Sequence, residues 1–279
     1  YDDLARRVPP VSQAVLERAL PQHLADGSTN PAWTQARSEN PSDPQGPRPE
    51  NASSIYMIFG LNRTTKKQQE VRMHYLQRKI SHLPPMDDIS RRMCEEGHRN
   101  EIKGVATGLK YLCEGTKRVG EQVGVIRLGG EFPWVAASLD VVLHVPRQGG
   151  AGTDQVPLEI KCPSTMFGRT FNGALKLHHL IQLHVQMCAV KSSYAYILYW
   201  TSEESHLYRV DFDQKLWDLI AEGLRAWRKA ITSNAAQVPK SPEVKARKAQ
   251  IEGRLADIYR MCLQNNDYTW LPSYVDRMP

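Results

Sequence analysis

The sequence has few of the features that mark disulfide-stapled, zinc-stabilised or membrane-embedded proteins. Its five cysteines are an odd number and show no CxxC spacing, which favours a reducing compartment and disfavours a structural zinc site. No apolar run approaches the roughly 20 residues of a membrane span, and no cleavable signal sequence opens the chain. The chain begins at Tyr1 without a methionine, so a trimmed targeting segment stays open. We expect no membrane contact and an intracellular location: nuclear for a eukaryote or its virus, otherwise cytoplasmic, with an organelle as an open alternative.

Neither sign of charge dominates the sequence. Its 36 lysines and arginines exceed its 30 aspartates and glutamates by six, which favours a polyanionic partner without requiring one. With 279 residues, of which 41% are hydrophobic, the chain can bury a full core. The composition is therefore that of an enzyme-sized globular protein.

Composition and periodicity divide the chain into three regions. Residues 1–50 form an arm and linker that ends in a stretch rich in Pro, Ser and Asn. Residues 51–232 form the core, and residues 233–279 form a helical extension that packs on it. The hydrophobic pattern predicts helices at 66–80, 87–112, 174–190, 213–232 and 242–263, and strands at 122–127, 134–145, 156–161, 193–200 and 207–212. We therefore expect an α/β (α+β) fold, with a central mixed sheet flanked by helices and helical additions at both ends.

Acidic and basic side chains recur on two of the predicted strands. Successive strand side chains point to opposite faces, so Glu159 and Lys161 share one face of their strand. In the preceding strand, Asp140 lies on the less apolar of the two faces. Two carboxylates and an ammonium at one spot suit a Mg²⁺ or Mn²⁺ ion that grips a phosphodiester. The pattern predicts a nuclease centre.

Four sequence blocks carry a family resemblance. They are Gly97-His98-Arg99-Asn100-Glu101, then Phe132-Pro133-Trp134 leading into Ala137-Ser138-Leu139-Asp140, then Leu158-Glu159-Ile160-Lys161-Cys162-Pro163, and Gln182-Leu183-His184-Val185-Gln186. In order and spacing, the chain resembles the lambda-exonuclease-like, viral-recombinase (alkaline exonuclease) branch of the restriction-endonuclease-like PD-(D/E)XK nuclease superfamily. The resemblance covers about residues 50–230. The family usually has proline before the aspartate and glycine after it, where this chain has Leu139 and Val141, so we expect a local adjustment of the backbone.

The resemblance implies a role for each matching residue. The catalytic set is Lys161, Glu159, Asp140 and Gln182, and the metal ligands are Asp140, Glu159, the backbone carbonyl of Ile160, and Glu101. Less specific alternatives stay open for several of them. Glu101 alone could be a surface acid, Glu159 and Lys161 could form a structural ion pair, and the glutamines could be a polar patch against the core.

Substrate contacts are implied for a second set, which is Ser53, Ser138, Arg169, Gln186 and Arg37. Ser53 lies in a segment that resembles the family's Thr-Ala-Ser, although a helix N-cap would explain it equally well. Arg37 follows Trp33 in a Trp-x-x-x-Arg pattern, and Arg169 is in the loop after Lys161. We expect structural or DNA-contacting roles for the histidines near the glutamines, because their spacing matches no zinc motif: His178, His179 and His184.

The resemblance implies a DNA exonuclease that uses Mg²⁺ or Mn²⁺, with two ions, and degrades linear duplex DNA from 5′ ends during recombination or viral DNA processing. The implied partners are duplex DNA ends, a single-strand annealing recombinase and further copies of the chain. Three alternatives stay open. They are a structure-selective or RNA-directed nuclease on the same fold, an inactive nucleic-acid-binding descendant, and a scaffold that binds a partner through its C-terminal helix.

Overall fold

A computed structural model describes residues 46–121, 125–147, 149, 152–164, 171–238, 241–265 and 267–272, and every structural statement below concerns these residues. Most of the predicted arm lies outside them, including Trp33 and Arg37, and so does Arg169. The glycine-rich stretch 148–152 is described only at Gly149 and Gly152. Among the described helices, none combines the length and the apolar character needed to cross a membrane.

Strands and helices follow one another in runs along the described part of the chain. The strands are β1 (Glu50–Asn51), β2 (Val119–Glu121), β3 (Val125–Arg127), β4 (Val135–Ser138), β5 (Val141–Pro146), β6 (Thr153–Lys161), β7 (Tyr194–Trp200), β8 (Glu204–Asp211) and β9 (Tyr268–Pro272). A 3-10 helix (Ala52–Phe59) precedes α1 (Lys66–Leu76), α2 (Asp88–Cys113), α3 (Leu177–Val190), α4 (Gln214–Thr232) and α5 (Pro242–Gln264). The helix predicted at 66–80 ends early, at Leu76, and Arg78 just beyond it has a left-handed φ of 60°.

The strands form two sheets. The larger has the order β2-β5-β6-β7-β8-β9, in which only β6 and β7 are parallel, with α3 as the connection between them. The smaller has the order β1-β4-β3, with β1 parallel to β4. A mixed sheet flanked by helices is the predicted fold class, which is confirmed. The sequence patterns did not predict β9, which adds an edge strand to the larger sheet.

The larger sheet has an apolar cluster on each side. On one side Leu158 and Ile160 of β6 pack with Val105 and Leu109 of α2. On the other side, α3 and α4 join the larger of the two clusters, together with α5. Glu159 and Lys161 alternate with Leu158 and Ile160 along β6, so they lie on the α3 side. The fold therefore brings α2 and α3 to opposite faces of the same strand.

The strand predicted at 134–145 is two strands, so that prediction is wrong. The chain leaves the smaller sheet after Ser138 and enters the larger one at Val141, with Leu139 and Asp140 as the corner between them. Apolar residues continue at every second position from Val135 to Leu143, so the alternating pattern runs through the corner without a break. Asp140 is therefore at a corner between sheets instead of in mid-strand.

Candidate active site

The corner between the sheets, the end of β6 and the middle of α2 meet at one place. Asp140 comes from the corner, Lys161 ends β6, and Glu101 lies on α2. The three side chains are close enough for each to shift the pKa of the other two. The structure thus brings together the main residues predicted for catalysis and metal binding, which are Glu101, Asp140, Glu159, Ile160, Lys161 and Gln182. Gln186, predicted to contact substrate, joins them through its hydrogen bond to Glu159.

Asp140 is held by the neighbouring strand. The backbone N–H of Ile160 donates to Oδ2 of Asp140 over 2.7 Å. The first residue after the corner, Val141, pairs with Leu158 on β6. This bond fixes the carboxyl beside the end of β6 and supplies part of the stabilisation that a half-buried acid needs.

Glu159 is the most enclosed acid of the site, with only 2% of its surface exposed. Its Oε1 accepts hydrogen bonds from Nε2 of Gln182, at 2.6 Å, and from Nζ of Lys161. Its Oε2 accepts one from Nε2 of Gln186, at 2.5 Å, and the same amide donates to the carbonyl of Ser138 at 2.9 Å. Three donors therefore compensate for the burial of the charge. Gln182 and Gln186 are one turn apart on α3, so their shared face is the one that meets Glu159.

The two remaining acids, Glu101 and Asp140, influence each other's pKa. Burial and the charge of Glu159 raise the pKa of Glu101 to about 7, although a side-chain hydrogen bond with Asp140 and the charge of Lys161 pull it down. Burial, followed by the charges of Glu159 and Glu101, raises the pKa of Asp140 well above its usual range. Acids forced together in this way are typical of functional sites. A bound cation would relieve the repulsion between them.

Lys161 keeps its proton. Burial lowers its pKa, but the charges of Glu159 and Asp140 outweigh that effect, and the net direction is upward. Its side chain is 27% exposed, so the ammonium is accessible at the surface of the site. The side chain therefore acts as a hydrogen-bond donor and a positive charge, and it is a poor base at neutral pH.

The two serines predicted to contact substrate lie at the same end of the smaller sheet. Asn51 pairs with Ala136 in parallel. Ser53 lies two residues after Asn51, and Ser138 lies two residues after Ala136. Ser53 is exposed within the 3-10 helix, whose N-cap is Asn51, so the N-cap alternative for Ser53 is wrong. The hydroxyl of Ser138 is buried and finds no hydrogen-bond partner within the described part of the chain. Contact with a terminal phosphate stays a prediction for both serines, and for Arg37 and Arg169, which lie outside the described residues.

The histidines on α3 have different surroundings. His184 is structural, because its Nδ1 is 2.7 Å from the carbonyl of Leu180 and its Nε2 accepts the N–H of Asp213 at 3.1 Å. Burial, with nearby lysines, lowers the pKa of His178 to about 4 and that of His179 well below its usual range. Both are therefore neutral at pH 7, and Nδ1 of His179 is 2.7 Å from the hydroxyl of Tyr199.

The sequence analysis did not identify two residues near the site. They are Tyr199, which contacts His179, and Ser164, which contacts α2. Tyr199 pairs with Lys161 across β6 and β7, so it lies beside the lysine in the sheet. Ser164, three residues after Lys161, donates to a carboxylate oxygen of Glu96 on α2. Neither residue belongs to a recognisable motif. A tyrosine in a buried strand and a serine after a proline carry no signal of their own in a single sequence.

The carboxylates of this site are not arranged as a complete set of metal ligands. Within the described ranges, no group of three or more histidine, cysteine, aspartate and glutamate side chains is arranged to hold an ion. Both carboxylate oxygens of Glu159 accept hydrogen bonds from Lys161 and the glutamines. The donors that remain are Asp140, Glu101 and the carbonyl of Ile160.

The comparisons with known proteins give structural similarity and no sequence match. No protein-family profile matches the chain, and no curated protein matches it. An alkaline exonuclease, LHK-Exo from Laribacter hongkongensis, is similar with 17% identity and a TM-score of 0.47, over 84% of this chain and 98% of that chain. A structure of LHK-Exo in complex with dAMP is similar with 15% identity and a TM-score of 0.46, over 78% of this chain and 94% of that chain. The proposal below rests on the side chains of the site.

Proposed function

We propose that this chain is a metal-dependent deoxyribonuclease that hydrolyses linear duplex DNA from its 5′ ends. One observation carries the proposal. Three separate elements deliver Glu101, Asp140 and the Glu159–Lys161 pair to one spot, where burial and the charge of Glu159 raise the pKa of both other acids. A structural ion pair would explain Glu159 and Lys161 alone, but it gives no reason for two further buried acids beside it.

The donor set fits a hard divalent cation. Asp140 and Glu101 offer carboxylate oxygens, and the end of β6 offers the carbonyl of Ile160, while the mutual repulsion of the acids would be relieved by a positive charge. These groups would hold Mg²⁺ or Mn²⁺, and Glu159 would join them by giving up one of its hydrogen bonds. When bound, the ions supply Lewis-acid polarisation of a phosphate and a water of lowered pKa.

The chain's own groups have defined tasks in this proposal. Lys161 keeps its proton, so it would donate a hydrogen bond to the attacking water or to the phosphate as negative charge grows. Gln182 and Gln186 hold Glu159, which in turn accepts from Lys161 and sets the direction of its ammonium. The glutamines are thus positioning residues that act through Glu159.

Digestion of linear duplex against closed circular duplex tests the reaction class and its direction. With Mg²⁺ or Mn²⁺, we expect 5′-labelled linear duplex to lose its label as mononucleotides, while relaxed closed circles stay intact. Ca²⁺ should support binding without cleavage, because it is a weaker Lewis acid with looser geometry. Nicking of closed circles would favour a structure-selective endonuclease instead. Binding without cleavage under every metal would favour an inactive nucleic-acid-binding protein.

We propose that the enzyme selects a DNA end by binding its terminal 5′-phosphate. Hydroxyl donors and an arginine fork match a phosphate geometrically, and the candidates are Ser53, Ser138, Arg37 and Arg169. We expect faster digestion of 5′-phosphorylated ends than of 5′-hydroxyl ends, with Arg169→Ala removing most of the difference. Equal rates on the two ends would contradict this selection. A recombination or viral role, a recombinase partner and a homo-oligomer are further parts of the proposal.

A further inference from the structure

A cavity of about 640 Å³ opens between the 3-10 helix, the start of α1, and helices α4 and α5. We call it the α4–α5 cavity. Its volume is within the range of small-molecule sites, about 300–1,000 Å³. None of the residues assigned to the candidate active site lines it. A molecule in this cavity would therefore not lie against the residues of the candidate active site.

The inner wall of the cavity is apolar. It is formed by side chains of the 3-10 helix, of α4 and of the segment before α5: Ile58, Phe59, Ala226, Trp227 and Val238. Two polar side chains of this lining are already engaged. Gln69 donates to the carbonyls of Met57 and Ile58, at 2.7 and 2.9 Å, and the indole N–H of Trp227 donates to Glu50 at 3.3 Å. A group that enters the cavity therefore meets hydrocarbon and an aromatic ring, and gains most by burying apolar surface.

Basic side chains surround this apolar wall. Four of the lining residues are basic and none is acidic: Lys66, Lys245, Arg247 and Lys248. Three of them reach acids that do not line the cavity: Glu70, Glu222 and Glu252. Lys245 forms no ion pair among the described residues. The lining therefore offers one ammonium without an ion-pair partner in the described part of the chain, that of Lys245, beside three basic groups, and a negatively charged head group would complement it.

We propose that the α4–α5 cavity binds an amphipathic organic anion, whose apolar body lies against Trp227 and Phe59 and whose acidic group meets Lys245 and its basic neighbours. Carboxylates and sulfonates share this chemistry. A mononucleotide does not fit it, because the edge of a base needs hydrogen-bond partners that this wall does not offer. The inference is independent of the proposed nuclease function.

Fluorescence of 1-anilinonaphthalene-8-sulfonate, an aromatic sulfonate, tests this proposal in the folded full chain. We expect saturable binding, displaced by laurate but not by dodecyltrimethylammonium, which has the same tail with the opposite charge. dAMP should not displace the probe. Ala226→Phe fills the cavity and should abolish saturable binding, with Ala246→Phe, an exposed change on α5 outside the lining, as its matched control.

A charge reversal separates the basic rim from the apolar wall. Lys245→Glu should weaken binding of the probe by at least about threefold at low salt, whereas Lys215→Glu, an equal charge change on an exposed position of α4, should not. Thermal unfolding of each variant shows that it is folded. Probe binding that survives both Ala226→Phe and Lys245→Glu overturns the proposal, and so does displacement by dodecyltrimethylammonium or dAMP as effective as that by laurate.

Discussion

The two faces of β6 contact their neighbouring helices through different interactions. Toward α2 the fit is steric: a Cβ on Gly104 would be 2.4 Å from Cγ2 of Ile160, closer than atoms can pack. Toward α3 the fit is electrostatic, because Glu159 is buried under three hydrogen-bond donors. One strand therefore packs in the core on one side and contributes to the candidate active site on the other. Substitutions on the first face should change stability alone, and those on the second should change cleavage as well.

The largest effect is expected on the polar face. Lys161→Met keeps much of the side chain's volume but removes the ammonium, so we expect cleavage of linear duplex to slow by about 100- to 1,000-fold, as for other groups that stabilise developing charge. The free energy of unfolding should also fall, by about 1–3 kcal/mol, because Lys161 is one of the three donors to the buried carboxylate of Glu159. Single-turnover rates and denaturant unfolding measure both quantities. The control is Lys215→Met on α4, and cleavage by Lys161→Met at the parent rate would remove Lys161 from the mechanism.

The apolar face should respond in stability instead. Gly104→Ala places a methyl group against Ile160, and we expect a loss of about 1–3 kcal/mol in the free energy of unfolding, as for other overpacked cores. Gly253→Ala is the matched control, because that helical glycine has nothing within 4 Å of the added Cβ. It should gain about 0.5–1 kcal/mol from helix propensity. A Gly104→Ala protein as stable as the parent would show that α2 and β6 are not in such close contact.

The glutamines link the two kinds of effect. Gln186→Leu removes a donor from the buried carboxylate of Glu159, so we expect a loss of about 1–3 kcal/mol in the free energy of unfolding, accompanied by slower cleavage. In a Glu159→Gln background the same substitution should cost clearly less, since no charge is left uncompensated. Gln250→Leu, an exposed change on α5, is the control. Equal costs in both backgrounds would mean that Gln186 supports the packing of α3 and not Glu159.

The smallest effect is a pH dependence. Burial and Glu159 raise the pKa of Glu101 from 4.5 to about 7, so the folded state binds more protons than the unfolded state between these values. Stability without metal should therefore fall as pH rises through this window. Glu101→Gln should reduce this dependence, measured by denaturant unfolding with a chelator present, and the part that remains should come from Asp140, whose pKa is also raised. Added Mg²⁺ should stabilise the parent more at about pH 8 than at about pH 5, and a variant with the parent's pH profile would contradict the shift at Glu101.

The sequence was most informative where a local period determines which side chains meet. The two-residue alternation placed Glu159 and Lys161 together, and the four-residue step placed Gln182 and Gln186 on one face of α3. The contact between these two pairs could not be derived from either period, because it depends on how α3 packs against β6. The motif order alone indicated it.

The sequence was least informative where the chain changes sheets. The run from Trp134 to Val145 alternates without interruption, so no local signal marks the corner at Leu139 and Asp140. The bond from Ile160 to Asp140 that accompanies this corner joins residues 20 apart and is a product of tertiary structure. The edge strand β9 was missed for a different reason. Tyr268, Thr269 and Trp270 all favour strands, but the pattern follows a long helix and is short.

The central claim is that Asp140 belongs to a catalytic centre and not to the core of the fold. The most direct test compares the parent with Asp140→Ala in two assays: single-turnover cleavage of linear duplex in Mg²⁺, and equilibrium binding of the same DNA in Ca²⁺ over a range of salt concentrations. We expect cleavage to fall by several orders of magnitude while binding keeps its affinity and its linear loss with the logarithm of salt concentration. Cleavage at the parent rate by a folded Asp140→Ala protein would contradict the account.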